Sequence, residues 1–128
     1  MIERVEREMK VRFADDLPSE AIRVRGYRGI RLILFEYLGM HVGDPVSVPR
    51  LRALTGDQIH TERRLRELRD LGVRLEATRV SEENNYVLVS EEPDFDYAEK
   101  SLIGGMVKAV PGWTAARKRE LIADITSR

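Results

Sequence analysis

The chain has 128 residues, with 22 basic and 22 acidic side chains, two histidines and no cysteine. This length suits one domain, and the missing cysteine excludes disulfides and thiolate metal sites. A net charge of zero argues against a protein that coats nucleic acid indiscriminately, but eight arginines and five acidic residues between Arg50 and Arg79 give that segment a local charge of +3.

The N-terminal segment, residues 1–24, carries an apolar stripe at helical spacing. Four apolar residues recur among charged side chains: Ile2, Val5, Met9 and Phe13. This spacing predicts an amphipathic helix, an extension of the domain that follows. The segment lacks the apolar core of a signal peptide, and no apolar run in the chain reaches the length of a membrane span. We therefore expect a cytoplasmic protein with no membrane partner.

Two helices and a short strand are predicted next. The sequence "IRLILFEYLG", which starts at Ile30, has the pattern of a buried helix. Val46 and Val48 suit a very short strand. Pro49 is typical of the first turn of a helix, and Gly56 is typical of the position where a helix ends.

A further helix and a hairpin complete residues 25–90. The helix is predicted from about Asp57, as N-cap, to Leu71, with Gly72 as C-cap. The stretches "VRLEATRV" and "YVLVS" predict a β-hairpin with a loop of four or five residues. The order helix, strand, helix, turn, helix, hairpin predicts an α+β fold, a winged helix-turn-helix with a three-helix core and a β-hairpin wing.

The last segment, residues 91–128, is predicted to be an acidic linker followed by a C-terminal helix. The linker is "EEPDFDYAEK", which is acidic and contains Pro93, and "SLIGGMVKAV" suits either helix or strand. Trp113, Leu121 and Ile125 lie in the stretch that predicts the terminal helix.

The helix predicted from Asp57 has an arginine-rich outward face. Double-stranded DNA is bound by cations along its phosphates and by side chains that hydrogen-bond base edges. Residues predicted to read or flank bases are Gln58, His60, Thr61, Arg63 and Arg64. Arginines predicted to hold phosphates are Arg50, Arg52, Arg66, Arg69 and Arg79. The alternative is a solvated face whose arginines pair with Glu62, Glu67 and Asp70.

The hairpin is a weaker candidate for DNA contact than the helix. Arg79, Asn84 and Asn85 lie near its predicted tip, but Asn-Asn is first of all turn chemistry. Glu82 and Glu83 at the same tip would repel phosphates.

Catalytic signals are missing from the sequence. No nucleophile with its base, no phosphate-binding glycine loop and no metal-ligand spacing can be recognised. We therefore predict no catalytic residue, no metal site and no cofactor, and expect that the chain is not an enzyme.

Residues Ile30 to Ser90 resemble the small winged-helix domains found beside HNH nuclease domains in bacterial restriction-endonuclease-like proteins. The resemblance rests on the segment "RLRELR" and on Gly43, Val46, Val48, Gly56, Gly72, Tyr86 and Leu88. It implies that this chain recognises the DNA target while a neighbouring HNH domain cuts it. With two histidines and no cysteine, this chain cannot assemble such a nuclease site itself. The nuclease would therefore be another domain or subunit.

Two other functions fit the same fold. A transcriptional regulator would act as a homodimer, joined through the N-terminal stripe or the Trp113 helix. A protein-interaction module would turn the arginine face towards an acidic partner, or towards its own acidic residues 82–99.

Overall fold

The computed structural model describes residues 2–24, 29–56 and 60–128. The helices in these ranges are α1 (Ile2–Arg12), α2 (Ile30–Gly39), α3 (Val48–Thr55), α4 (Thr61–Asp70), α5 (Phe95–Lys108) and α6 (Ala115–Thr126). A 3-10 helix spans Ser19–Ala21, and the strands are β1 (Val46–Ser47), β2 (Arg74–Val80) and β3 (Glu83–Ser90). This content confirms the predicted α+β class. No helix in the described ranges combines the length and apolar character that crossing a membrane requires.

Local sequence signals explain the boundaries of α3 and the end of α4. Ser47 caps α3, because its hydroxyl accepts a hydrogen bond from the backbone N–H of Arg50 at 3.3 Å. Gly56 follows α3 with a φ of 65°, and Gly72 follows α4 with a φ of 92°. A Cβ on Gly72 would lie 2.7 Å from the carbonyl oxygen of Asp94. Only glycine fits there, so this turn fixes the end of α4 against the segment that precedes α5.

The start of α4 differs from the prediction. The helix begins at Thr61 with His60 as its N-cap, and Asp57, the predicted N-cap, lies outside the described residues. The hydroxyls of Thr55 and Thr61 lie 3.3 Å apart, joining the end of α3 to the first residue of α4.

The three strands form one antiparallel sheet in the order β1-β3-β2. The predicted hairpin of β2 and β3 is confirmed, but its loop has two residues rather than four or five. Ser81 and Glu82 close the loop with positive φ angles of 51° and 66°. Two positive φ angles in succession are typical of the two-residue hairpin turns whose twist matches that of the flanking strands. Asn84 and Asn85 instead continue β3, opposite Arg79 and Thr78 of β2.

Two apolar cores hold the chain together. The first joins α2, α3, α4 and the sheet through Leu34, Leu38, Val46, Leu51, Leu65, Leu68, Val73, Leu75 and Leu88. The second joins α1, α5 and α6, and its members include Val5, Met9, Phe13, Leu17, Ile22, Leu71, Ile103, Met106, Val107 and Ile125. Leu71, directly after α4, belongs to the second core and links the two. The predicted N-terminal amphipathic helix is confirmed as α1, but Val5, Met9 and Phe13 are buried within the chain and are not available as a dimer surface.

The segment predicted as an acidic linker is mostly helix. Only residues 91–94 separate β3 from α5. Asp94 caps α5 by accepting a hydrogen bond from the backbone N–H of Tyr97 at 3.1 Å. Gly104 and Gly105 lie inside this helix. The packing of α5 in the second core outweighs their weak helix propensity.

Ion pairs join α1 to the acidic residues around the start of α5. Arg4 pairs with Glu92 at 2.7 Å, and Arg12 pairs with Asp96 at 2.8 Å and with Glu99 at 3.2 Å. The hydrogen bond from Arg4, followed by its charge, lowers the pKa of Glu92. Among the described residues, the acids of residues 91–99 therefore pair with arginines of α1 and β2, and none forms an ion pair with an arginine of α4.

Candidate functional site

One surface of α4 is apolar and buried, and the opposite surface is charged. The buried residues of this helix are Thr61, Leu65 and Leu68. Arg63, Arg66 and Asp70 are exposed on the opposite surface. At 1.5 Å per residue the helix is about 15 Å long, and the major groove of DNA, roughly 12 Å wide, admits a helix. The charged surface of α4 is therefore the candidate interface.

The residues at the start of α4 that were predicted to read bases differ in their exposure to solvent. Thr61 is 0% exposed and faces Thr55 of α3, so its side chain cannot reach a base and its assignment is corrected. The reason is helical phase, since Thr61 lies one turn before the buried Leu65. His60 is exposed, and Gln58 lies outside the described residues.

The two arginines of α3 have different surroundings. Arg52 forms an ion pair with Glu62 of α4, which ties the two helices together. Arg50 lies in the first turn of α3, where its side chain is exposed and makes no hydrogen bond or ion pair with another described residue. Of the two, Arg50 is therefore the one that is available to a phosphate.

A cluster of arginines surrounds Glu67 on the side of α4 that faces α2. The Glu67 carboxylate forms an ion pair with Arg31 of α2 at 2.6 Å and accepts hydrogen bonds from Arg64 of α4, the shorter at 2.9 Å. These three side chains are only about a quarter exposed, at 26%, 24% and 26% for Arg31, Arg64 and Glu67. Arg63 lies farther from the carboxylate, at 3.5 Å, and is 63% exposed. Arg64 is thus held in a contact between helices, while Arg63 is turned towards solvent.

The C-terminal half of α4 contains two arginines without partners. Within the described part of the chain, the side chains of Arg66 and Arg69 make no hydrogen bond or ion pair. The Nε of Arg69 is buried and unpaired, an arrangement that is rare for a buried donor in folded proteins.

Two surface depressions meet beside these arginines. One, of about 460 Å³, is lined by Arg63, Arg66, Glu67, Arg69, Asp70 and Tyr97. The other, of about 270 Å³, lies between the start of α5 and β2 and is also lined by Arg69 and Tyr97. Tyr97 belongs to α5 and is 42% exposed. It is a candidate that the sequence prediction missed, since its segment was expected to be a linker.

The β2–β3 hairpin has an arginine, Arg79, near its tip. The Nη2 of Arg79 donates to the backbone oxygen of Glu82 at 3.2 Å, which holds the side chain against the turn. Asn84, opposite Arg79, is exposed. Asn85 is only 6% exposed and its Nδ2 donates to the backbone oxygen of Glu83, so it supports the strand rather than presenting an amide to a ligand.

In the part of the chain that the structure describes, no three histidine, aspartate or glutamate side chains lie close enough together to hold a metal ion.

Residues 31–89 match the family model described as KpnI N-terminal domain. This part of the chain is therefore similar to a restriction-enzyme-related domain. The match runs from the first turn of α2 to the end of β3, so it covers the elements of the first core and leaves α1, α5 and α6 outside. No curated protein and no solved structure matched the chain.

Proposed function

We propose that residues 25–90 form a winged helix-turn-helix module that binds double-stranded DNA. In this proposal α3, the turn and α4 are the helix-turn-helix, α4 lies in the major groove, and the β2–β3 hairpin is the wing. Its role is target recognition for a restriction or HNH-type endonuclease whose cutting site belongs to another domain or subunit. The chain itself is not catalytic.

The observation that carries the proposal is the exposed face of α4. Arg63 and Arg66 project from it, and the nearby carboxylate of Glu67 is already shared with Arg31 and Arg64. The Arg66 side chain has no partner among the described residues, and Arg63 only shares Glu67, at 3.5 Å, with Arg31 and Arg64. Both can therefore provide the electrostatic contact that phosphates require. His60, at the exposed start of the helix, is placed where recognition helices contact base edges.

The similarity to a restriction-enzyme-related domain supports the same function. The matched residues coincide with a self-contained apolar core, as a module that is combined with different catalytic domains would require. Proteins of this kind must locate a short site in long DNA. A recognition helix flanked by phosphate contacts is one way to do so.

The test is a fluorescence-anisotropy titration of random-sequence duplex DNA over a series of salt concentrations. Wild type should bind with a steep salt dependence, and Arg63→Ala/Arg66→Ala should reduce the slope of log K against log salt by about 1.8, since each phosphate contact contributes about 0.9. The matched control is Arg7→Ala/Arg119→Ala, which removes two exposed arginines from α1 and α6. A folded wild type that does not bind at low salt would refute the proposal and turn the search to acidic protein partners.

A further inference from the structure

The depressions beside α4 bring together residues from two separate parts of the chain. Arg66 and Arg69 come from the helix within the matched domain, and Tyr97 comes from α5, outside it. Arg69 and Tyr97 line both depressions, so they mark the place where the two meet.

The region where the two depressions meet carries a positive charge. Two acids line the larger depression, but one of them, Glu67, already receives Arg31 and Arg64 at 2.6 and 2.9 Å. Asp70 is the acid of the larger depression that remains, against the unpaired side chains of Arg66 and Arg69. Glu76 and Asp94 line the smaller depression, where Asp94 lies 4.0 Å from Arg74. The acids near the start of α5 are also engaged, since Asp96 and Glu99 pair with Arg12 of α1.

We propose that Arg66, Arg69 and Tyr97 form a phosphate subsite, which binds the DNA backbone beside the bases that α4 reads. The inference rests on the proposed function and adds α5 to the DNA-binding surface. Guanidinium groups and a phenol are hydrogen-bond donors, and phosphate oxygens are the acceptors that suit them.

The subsite gives the C-terminal extension a role in DNA binding, in addition to its packing in the second core. Through the second core, α5 is fixed against α1 and α6. Its N-terminal turn is held at the end of α4 by a hydrogen bond of 2.7 Å from the Asp94 N–H to the Gly72 oxygen. Tyr97 is therefore positioned beside α4 before DNA arrives, and its hydroxyl would bind a phosphate at little cost in conformational entropy.

The test uses the full chain, the same duplex DNA and the variants Tyr97→Phe, Arg66→Gln and Arg69→Gln, alone and combined. Tyr97→Phe removes one hydroxyl and should weaken binding about 3- to 10-fold with little change in salt slope. Each arginine variant should reduce the slope by about 0.9. Combining Tyr97→Phe with Arg69→Gln should cost less than the two separate losses together, because both residues hold one phosphate.

The control is Arg119→Gln, which removes an exposed arginine of α6. If wild type binds DNA but Tyr97→Phe binds like wild type and both arginine variants behave like the control, the subsite is refuted and the proposed function stands. If wild type does not bind DNA, both are refuted. Arg66 is exposed, so Arg66→Gln tests the subsite even if a change at the partly buried Arg69 disturbs folding.

Discussion

Replacing Glu67 by Gln should lower the stability of the protein and raise its affinity for DNA. The substitution keeps the size of the side chain and one acceptor oxygen, but it removes the charge that holds Arg31 and Arg64 at 2.6 and 2.9 Å. These side chains are about three-quarters buried, and hydrogen bonds between charged groups contribute roughly 1.5–3 kcal/mol each. Because Gln retains part of this bonding, we expect a loss of about 1–3 kcal/mol in the free energy of unfolding.

Two assays separate these effects. Thermal unfolding should show a decrease in Tm of about 3–6 °C for each kcal/mol, given the size of the chain. DNA titration at low salt should show tighter binding, because Arg63 and Arg64 lose the carboxylate that partly neutralises them.

The matched control is Asp70→Asn, which removes one negative charge from the exposed face of the same helix. The side chain of Asp70 makes no hydrogen bond or ion pair with another described residue. The Tm of the Asp70→Asn variant should therefore change little, while its DNA affinity again rises. An unchanged Tm for Glu67→Gln would show that the cluster does not hold α2 against α4. Weaker DNA binding by a folded Glu67→Gln would show that the charged face of α4 is not the interface.

Three further predictions concern other parts of the structure. Thr61→Val should lower the free energy of unfolding in urea by about 0.5–1.5 kcal/mol, through loss of a buried hydroxyl contact, and leave DNA affinity unchanged. Lost affinity at full stability would contradict its buried placement. Ser81→Asn/Glu82→Gly should raise stability by about 1 kcal/mol in the same assay, because both positions have positive φ; no gain would count against the two-residue turn. The hydrogen bond from Arg128 lowers the pKa of Asp16, so its stabilisation is complete above the ordinary carboxyl pKa of about 3.9 and is lost as pH falls through the lower folded value. Asp16→Asn should therefore lower stability at neutral pH and reduce the loss on acidification, and equal acid sensitivity of variant and wild type would contradict this.

The elements of the first core were predictable because their signals are local. Apolar spacing predicts α2 and α4, and a serine followed two residues later by a proline marks the start of α3. Alternating side chains predict the hairpin. The length of the hairpin loop was not predictable from turn residues, because Ser81 and Glu82 occupy positions where asparagine and glycine are favoured. Their positive φ angles follow from the register of the strands on either side.

The missed helix α5 shows a different limit. Its acidic start, Pro93 and two glycines each favour a loop when considered alone. The signal that could have revealed it was Asp94, which lies one residue before an apolar pattern that runs through Ala98 and Ile103. What stabilises the helix, however, is contact with α1, which lies far from α5 in the sequence. Propensity does not include that contact.

Within the candidate site, helical phase was sufficient for some residues and not for others. Leu65 and Leu68 fix the buried side of α4, and counting back four residues from Leu65 would have placed Thr61 inside. The same helical spacing correctly places Arg63 and Arg66 on the opposite, exposed side of α4. The pair of Arg64 with Glu67 is three residues apart on one helix, a contact that helical spacing predicts. The contact of Glu67 with Arg31 of α2 is tertiary, and no spacing within one helix contains it.

The charge segregation along the sequence has a structural explanation in these contacts. Five acids lie between residues 91 and 99, and the ion pairs of this segment are made with Arg4 and Arg12 of α1 and with Arg74 of β2. A net charge of zero therefore does not mean that every face is neutral. Because the acids stabilise the docking of the terminal helices, Arg63 and Arg66 on α4 remain exposed to solvent. Local potential, rather than total charge, governs where a polyanion binds, so a chain with no net charge can still present a cationic helix to DNA.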